Sequence, residues 1–413
     1  MALVDVTDWM DEFGRPGTVW YAKRLAANDT LATNAHQAGP YIPKEFLFNI
    51  FPVINRPQAV NPDHRFDLYI DSHADHRAVR AVWYNNRVRG EGTRNEARLT
   101  GFGGTRSALL DPESTGALAV FAFVLDTAGA ATECHVWVCR DGTEEDLFEG
   151  RLGPVEPKTF VIWTPGAVPA PDLFPEEPRA RAACHLDPAD IPSAWLVSFP
   201  TGAEIIRKTL ELRPPAGMAV DLRLLRRRQC EYEVFRSVER AVWLPRIREG
   251  FTTIENFVSL AQTILQSRKS RSGNSLELHA REIMTEEGLQ AGHDFSHRPV
   301  IEGGKRPDFL FPSTQAYENP DFPVARLRML AAKTTCKDRW RQVINEANRI
   351  PTKHLLTLQE GVSEGQFREM QEAGVQLVVP FGLHESYPDA VRPQLVTFES
   401  FLGDVRLLNL VRG

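Results

Sequence analysis

The chain has 413 residues, of which 42% are hydrophobic, and its net charge is −6. This length exceeds what one ordinary hydrophobic core holds, so two globular domains are expected. The charge argues against a polycation that coats nucleic acid, and no apolar run reaches the roughly 18 residues that a membrane helix needs. The acidic first residues are also unlike a signal peptide. These features together favour a cytoplasmic protein.

The first predicted domain, residues 1–165, is mostly β. Short apolar runs such as LAVFAFVLD and CHVWVCR are separated by Gly, Asn and Asp at strand-like spacing, which is typical of a compact barrel. Residues 166–192 are rich in proline and acids and have no helical or strand periodicity. They are predicted to form a linker.

The second predicted domain, residues 193–413, is an α/β domain. It begins with helical patterns over Gln229–Glu249 and Thr253–Gly288, in which apolar residues recur every three and four positions. The apolar runs PDFLFP, RLRMLAAKTT, KHLLTLQ and VQLVVP then alternate with helical patterns, among them DRWRQVINEANRI. This alternation predicts a central mixed sheet flanked by helices.

The five cysteines are scattered and form neither a CxxC pair nor a zinc pattern with histidine. We expect them to be reduced and mostly buried. Charge is also distributed unevenly, because residues 201–413 hold 30 basic and 27 acidic side chains, whereas many acids lie between Asp141 and Asp190. The acidity therefore belongs largely to the junction between the two predicted domains.

An acid and a lysine are placed where a nuclease centre needs them. Asp308 opens the strand PDFLFP and Lys333 ends the strand MLAAK, so both side chains are predicted to meet at one sheet edge. Phosphodiester hydrolysis requires carboxylates for Mg²⁺ and a cation that positions the attacking water. The pair has the PD-(D/E)XK layout, although the usual acid two residues before the lysine is replaced by Ala331. The alternative is a turn aspartate and a solvated strand-end lysine.

Long segments resemble the EcoRII-like family of type II restriction endonucleases. The most specific is RMLAAKTTCKDRWRQVINEA, and SRKSRSGNSLE, KRPDFLFPS, FPTGAEII and, near the N-terminus, YAKRLAANDTLAT and TRNEARLT also match. The resemblance covers almost the whole chain. It implies a restriction-endonuclease-like catalytic domain preceded by a B3-like pseudobarrel that binds DNA.

The resemblance also supplies the carboxylates that the motif lacks. In related enzymes the helix after the lysine provides the second metal ligand, which here is Glu346 on the predicted helix 338–349. Glu277, on an earlier helix, has an accessory catalytic role by the same resemblance. Asp308 and Glu346 are thus expected to bind Mg²⁺.

The resemblance implies cleavage before the first C of a CCWGG-like site in double-stranded DNA by a homodimer. Its base-reading motif falls on Lys337, Asp338 and Arg339; arginine suits guanine and a carboxylate suits cytosine. The alternative is an ordinary helix start with Asp338 in its first turn. Residues expected to contact a flipped base or phosphates are Arg226, Arg227, Arg228, Arg268, Lys269 and Arg271.

The N-terminal domain is implied to bind a second copy of the site as an effector and to restrain catalysis until it does so. Two polar, basic segments, 21–39 and 84–104, resemble its DNA-gripping arms; ordinary exposed loops are the alternative. The residues expected to contact effector DNA are Lys23, Arg24, Asn28, Arg87, Arg89, Arg94, Asn95, Glu96 and Arg98.

Two other functions remain open. The chain could be a sequence-specific DNA-binding regulator with an inactive nuclease fold, or a nuclease for a related CC/GG site with a different centre. Cleavage of plasmid DNA with Mg²⁺ and mapping of the cut ends distinguish them. A restriction enzyme is also expected to be linked to a cognate cytosine methyltransferase, which protects host DNA.

Overall fold

The computed structural model describes residues 3–33, 39–103, 106–165, 184–215 and 217–410. The chain forms two compact units. The first comprises residues up to Glu177 together with Gln359–Phe367 and Glu385–Arg392, and the second comprises the remainder. Among the described residues no helix is long and apolar enough to cross a membrane.

The first unit contains mainly strands. Its elements, in chain order, are α1 (Leu3–Phe13), β1 (Thr18–Arg24), β2 (Tyr41–Ile42), α2 (Lys44–Ile50), β3 (Asp63–Ile70), β4 (Asp75–Tyr84), β5 (Glu96–Thr100), β6 (Leu118–Leu125), β7 (Ala131–Val138), α3 (Gly142–Leu152) and β8 (Phe160–Trp163). The strands form one curled sheet in the order β2-β5-β4-β3-β7-β6-β1-β8. All neighbouring strands are antiparallel except β3 and β7.

Both faces of this sheet are covered around β1. Val19 and Tyr21 belong to one apolar cluster, whereas Trp20 and Ala22 belong to another that includes Trp9 of α1 and residues of α3. Because successive side chains of a strand point to opposite faces, burial of all seven β1 residues requires a core on each side. The predicted mostly β fold is confirmed.

The second unit combines helices with a five-stranded sheet. Its elements are α4 (Ser193–Val197), α5 (Gly202–Leu212), α6 (Val220–Glu249), α7 (Ile254–Glu286), β9 (Ser296–His297), β10 (Phe309–Phe311), α8 (Thr314–Glu318), β11 (Arg328–Ala332), α9 (Trp340–Val343), β12 (Lys353–Leu356), α10 (Glu364–Glu372), β13 (Val375–Val378) and α11 (Phe398–Leu410). The strand order is β13-β12-β11-β10-β9. The pairs β9–β10 and β10–β11 are antiparallel, and β11–β12 and β12–β13 are parallel. The predicted α/β fold with a mixed sheet is confirmed.

The predicted helix 338–349 is wrong in length. Only Trp340–Val343 is helical, and the chain continues through turns to Ile350. Ala347 adopts a positive φ of 46°, which a right-handed helix cannot contain. Arg339 and Glu346 therefore do not share a helix face.

The expectation that all cysteines are reduced is also wrong. Cys184 and Cys230 form a disulfide across a sequence separation of 46, whereas Cys134, Cys139 and Cys336 are free and buried. The packing of Cys184 and Leu186 into the same apolar cluster as Cys230 brings the two sulfurs together. Spacing along the chain gives no sign of this approach. Residues 166–183 of the predicted linker lie outside the described residues, but Leu186 and Ile191 are part of the second unit's core.

Candidate active site and DNA-contact residues

Asp308 and Lys333 meet at one edge of the mixed sheet. Asp308 immediately precedes β10 and Lys333 immediately follows β11, and the two strands are antiparallel, so both residues lie at the same end. Oδ2 of Asp308 accepts a hydrogen bond from the backbone N–H of Ala332 at 2.8 Å and lies 3.4 Å from Nζ of Lys333. The strand pairing thus fixes the carboxylate and places the ammonium beside it.

Ala331 occupies the position where the usual motif has an acid. Its side chain is fully buried in the β11 core. Alanine has no carboxylate, so a second metal-binding carboxylate would have to come from another element.

Glu346 is placed where it can supply a second carboxylate to the site. It lies in the turn between α9 and β12, where its Oε2 atom is buried without a hydrogen-bond partner among the described residues. The pKa of Glu346 is raised to about 7, chiefly by burial. The Lys333 charge opposes this rise and the Asp308 charge adds to it. These interactions place Glu346 in the electrostatic field of the Asp308–Lys333 pair.

Two carboxylates beside a lysine fit a hard divalent cation. No group of three or more His, Cys, Asp or Glu side chains forms a ready-made metal cluster within the described ranges. Mg²⁺ commonly uses one or two protein carboxylates and completes its shell with water and substrate phosphate oxygens. The unpartnered Oε2 of Glu346 is an oxygen that such a cation would satisfy. Asp308 and Glu346 therefore fit Mg²⁺.

Glu277 on α7 is engaged by an arginine and a histidine that sequence reasoning missed. Arg298 donates from Nε to Oε1 and from Nη2 to Oε2, each at 2.5 Å, and Nε2 of His297 is 2.5 Å from Oε1. Burial alone would raise the pKa of Glu277, but hydrogen bonds from His297 and Arg298 outweigh it and lower the pKa. His297 ends the short strand β9 and Arg298 follows it, and this strand had no apolar pattern to reveal it.

The predicted base-reading residues Lys337, Asp338 and Arg339 lie in the turn that precedes α9, four to six residues beyond Lys333 in the chain. All three are partly exposed. Asp338 forms an ion pair with Arg341 at 3.1 Å. The three residues thus follow soon after Lys333 in the chain, and their base-reading role stays a prediction.

The basic residues expected near a flipped base or phosphates divide into two groups. Arg226 and Lys269 are exposed. The others form internal ion pairs: Arg227 with Glu286, Arg228 and Arg271 with Glu231, and Arg268 with Glu239. Contact with DNA through Arg227, Arg228 or Arg271 would require breaking a buried pair, which costs several kcal/mol.

The N-terminal candidates divide in the same way. Lys23 and Arg24 are buried because they belong to β1, a strand that is paired on both sides and covered on both faces; Lys23 pairs with Asp29 at 2.6 Å and Arg24 with Glu145 and Glu149. Neither is exposed for DNA in this structure. The residues that are at least partly exposed are Asn28, Arg87, Arg89, Arg94, Asn95, Glu96 and Arg98.

Four of these exposed candidates lie together on or beside β5. Arg94 pairs with Glu96 at 2.6 Å and covers the Tyr84 ring at 3.9 Å, while Arg98 lies 3.5 Å from Glu96. Asn95 accepts a hydrogen bond from Trp83. Hydrogen bonds from Arg94 and the nearby Arg98 charge overcome the effect of burial and lower the pKa of Glu96. This group is a prearranged polar surface.

Family models match both halves of the chain. The model described as "Restriction endonuclease EcoRII, N-terminal" matches residues 14–167, and "EcoRII C terminal" matches residues 235–402. The type II restriction enzyme SsoII of Shigella sonnei is 28% identical over 151 residues, which are 35% of this chain and 48% of that protein.

Similar solved structures include metal-depleted Ecl18kI with uncleaved DNA, at 23% identity and a TM-score of 0.41, covering 55% of this chain and 87% of that one. The B3 domain of UbaLAI restriction endonuclease with cognate DNA is 20% identical at a TM-score of 0.26, covering 38% and 97%. The type II restriction enzyme EcoRII of Escherichia coli is 41% identical over 401 residues, 96% of each chain. The chain therefore belongs to the EcoRII family of type II restriction endonucleases.

Proposed function

We propose that this enzyme hydrolyses double-stranded DNA at a CCWGG-like palindromic site, cuts before the first C, and uses Mg²⁺. Type II restriction endonucleases are in general metal-dependent, and relatives of this chain bear that name. The observation that carries the proposal is the sheet edge where Asp308 lies 3.4 Å from Lys333 and both act electrostatically on Glu346.

Each residue of this edge has a chemical task. Asp308 and Glu346 would hold Mg²⁺, which when bound would stabilise negative charge on the scissile phosphate. Lys333 carries an ammonium with a partly exposed side chain, so it can hydrogen-bond and orient a water for attack while Asp308 holds it in place. The Ala332 N–H fixes Asp308 independently of Lys333, so replacement of the lysine leaves the carboxylate anchored.

Recognition is proposed to involve Lys337, Asp338 and Arg339, with extrusion of the central base pair toward the α6 region around Arg226. A palindromic target matches a two-fold homodimer, since each protomer reads one half of the site. The exposed arginines and Glu96 on or beside β5 support contact of a B3-like N-terminal domain with a second, effector copy of the site. That domain is proposed to inhibit catalysis until it is occupied.

The cellular setting follows from this activity. An enzyme that cuts such a site acts in the cytoplasm where the DNA lies, together with a cognate cytosine methyltransferase. Methylation of host sites is then required for survival.

The test is cleavage of supercoiled plasmid with Mg²⁺, followed by sequencing of the cut ends. We expect ends at the first C of CCWGG-like sites, and no cleavage by Lys333→Ala even though it still binds DNA. Lys305→Ala is the matched control and should still cleave DNA. Lys305 donates a hydrogen bond to Asn348, which lies on the same turn as Glu346. Random ends would refute site-specific recognition, and a wild-type protein that binds but never nicks would favour the regulator.

A further inference from the structure

Arg298 is held at the proposed active site with part of its guanidinium free. Its Nε and Nη2 atoms bind both oxygens of Glu277, and Nη2 also donates to Oδ1 of Asn274 at 2.7 Å. Its Nη1 atom makes no hydrogen bond to the described residues. The Arg298 side chain is half exposed, whereas that of Glu277 is almost fully buried, so the guanidinium extends from a buried anchor toward solvent.

A backbone hydrogen bond joins Arg298 to Asp308, the residue that precedes β10. The N–H of Arg298 donates to the carbonyl of Asp308 at 2.9 Å, and the preceding His297 pairs with Phe309 across β9 and β10. The His297 ring stacks on Phe309 with centroids 5.2 Å apart while its Nε2 atom contacts Glu277. Arg298 is therefore fixed relative to Asp308 by the main chain, while Glu277 and Asn274 hold its side chain.

Arg298 also has a backbone conformation that non-glycine residues rarely adopt. Its φ is 48°, in the left-handed region. Such a conformation is unfavourable for a residue with a Cβ and persists when the surroundings enforce it, commonly at functional sites. Glycine would remove this strain, but it would also remove the guanidinium.

We infer that Arg298 binds the scissile phosphate of DNA through its free Nη1 edge, and that Glu277 is the positioning residue that aims it. This inference rests on the proposed nuclease function. Both Glu277 oxygens hold the guanidinium, and in this proposal Glu277 acts through Arg298 rather than as a metal ligand. A planar guanidinium fixed along one edge presents its remaining donors in a set direction, which suits a phosphate oxygen.

The first test measures binding without metal, in EDTA, to a duplex with one neutral methylphosphonate at the cleavage position mapped from the cut ends. For the wild-type protein we expect neutralisation to weaken binding about tenfold, the scale of one charge-assisted contact. For Arg298→Gly, neutralisation should leave the affinity for DNA almost unchanged. The Glu277→Gln/Arg298→Gly variant provides a second measurement without a buried unpaired carboxylate and should also show nearly no weakening.

The matched control is a pair of lysine substitutions. Arg328→Lys changes the Arg328–Asp404 pair at the opposite end of β11, so neutralisation should weaken its DNA binding as much as it does in the wild type. In Arg298→Lys, neutralisation should weaken binding less. The inference is overturned if neutralisation weakens DNA binding by Arg298→Gly as much as by the wild type. It is also overturned if neutralisation does not weaken binding by the wild-type protein. Failure of the wild-type protein to cut DNA counts instead against the proposed function.

The second test asks whether Glu277 acts through Arg298. Single-turnover cleavage at saturating DNA should be slowed about as much by Glu277→Gln, by Arg298→Gly and by the double variant, because one coupled unit is lost in each case. The Mg²⁺ concentration for half-maximal rate should stay at its wild-type value in Glu277→Gln. A tenfold rise in that concentration, with additive losses in the double variant, would make Glu277 a metal ligand and overturn its assigned role.

Discussion

At the scale of single residues, the Glu346 side chain combines a functional placement with an energetic cost. Burial raises its pKa to about 7. Because this folded-state pKa lies above the ordinary value, the proton stabilises the fold. That contribution is fully present below about pH 4.5 and is lost as pH rises through about 7. The metal-free protein is therefore expected to carry a destabilising Glu346 charge under alkaline conditions.

Glu346→Gln should separate stability from activity. In EDTA at pH 8 the variant should be more stable to unfolding than the wild type, on the order of 1–2 kcal/mol after allowance for partial solvent screening, and the difference should vanish near pH 4.5. Cleavage with Mg²⁺ should be abolished. Urea unfolding at the two pH values measures the first effect, with exposed Glu318→Gln as the control. Equal stability of Glu346→Gln and wild type at pH 8 would contradict the prediction.

The sequence revealed the site residues that stand in patterned segments. Asp308 and Lys333 adjoin apolar strands, so their meeting at one edge follows from the strand pairing. Arg298 gave no such signal, because β9 has two residues and the arginine adopts a left-handed conformation that no local pattern encodes. Burial of Arg24 was hidden for a related reason: its carboxylate partners, Glu145 and Glu149, are distant in the chain.

At the scale of elements, apolar periodicity located the strands of the mixed sheet and the long helix α7. It placed the start of α6 at Gln229, nine residues after the actual start at Val220. The arginines of its first turns interrupt the apolar pattern, yet Arg227 is buried through its ion pair with Glu286 on α7. A charged side chain neutralised by a distant partner therefore takes a core position that periodicity assigns to apolar residues.

The turn that carries Glu346 depends on one buried lysine. Nζ of Lys353 on β12 donates to the carbonyl oxygens of Ala347, at 2.7 Å, and Ile350. Lys353→Met would leave both carbonyls without this donor, so we expect a loss of about 2–3 kcal/mol in the free energy of unfolding. Displacement of Glu346 should also slow cleavage at least tenfold.

The matched control for this variant is Lys305→Met. Lys305 contacts the same turn through the exposed Asn348 side chain, so its loss should change stability by less than about 0.5 kcal/mol. Thermal unfolding and single-turnover cleavage at a temperature where each variant is folded measure the two effects. Wild-type cleavage by Lys353→Met would show that the lysine does not position Glu346.

The start of α7 carries an apolar stripe open to solvent. Ile254, Phe257 and Val258 are 77%, 53% and 42% exposed, and their spacing of three and four places them on one helix face. We predict that a second copy of this chain covers the stripe, since the palindromic target proposed above would call for a two-fold dimer. Phe257→Glu should then weaken self-association at least tenfold in sedimentation measurements. Leu407→Glu, at an exposed apolar position on α11, is the control; an unchanged dimer in Phe257→Glu would exclude this face.

At the scale of the whole molecule, the second unit begins earlier than the sequence predicted. The predicted catalytic domain starts at residue 193, but Cys184 is bonded to Cys230 and Leu186 and Ile191 are buried in the same cluster. This segment was predicted to be a linker because it is rich in proline and acids and has too few apolar residues to form a periodic pattern. Their role becomes visible only through their contacts with α6.

A comparison of two truncated chains tests this boundary together with the inhibitory role of the first unit. A chain that begins at residue 178 keeps the disulfide and the buried Leu186 and Ile191, whereas one that begins at 193 loses them. The disulfide alone, closing a loop of 46 residues, contributes about 2–4 kcal/mol, so the longer chain should unfold at a clearly higher temperature. Reduction with dithiothreitol should narrow that difference in unfolding temperature without removing it, because the apolar contacts remain.

If the N-terminal domain inhibits catalysis, the chain from 178 should cut one-site DNA faster than the full-length enzyme and should not respond to a second site. A chain from 193 that is as stable as the chain from 178 would place the boundary where the sequence predicted it, and slower cutting of both one-site and two-site DNA by the chain from 178 would argue against inhibition.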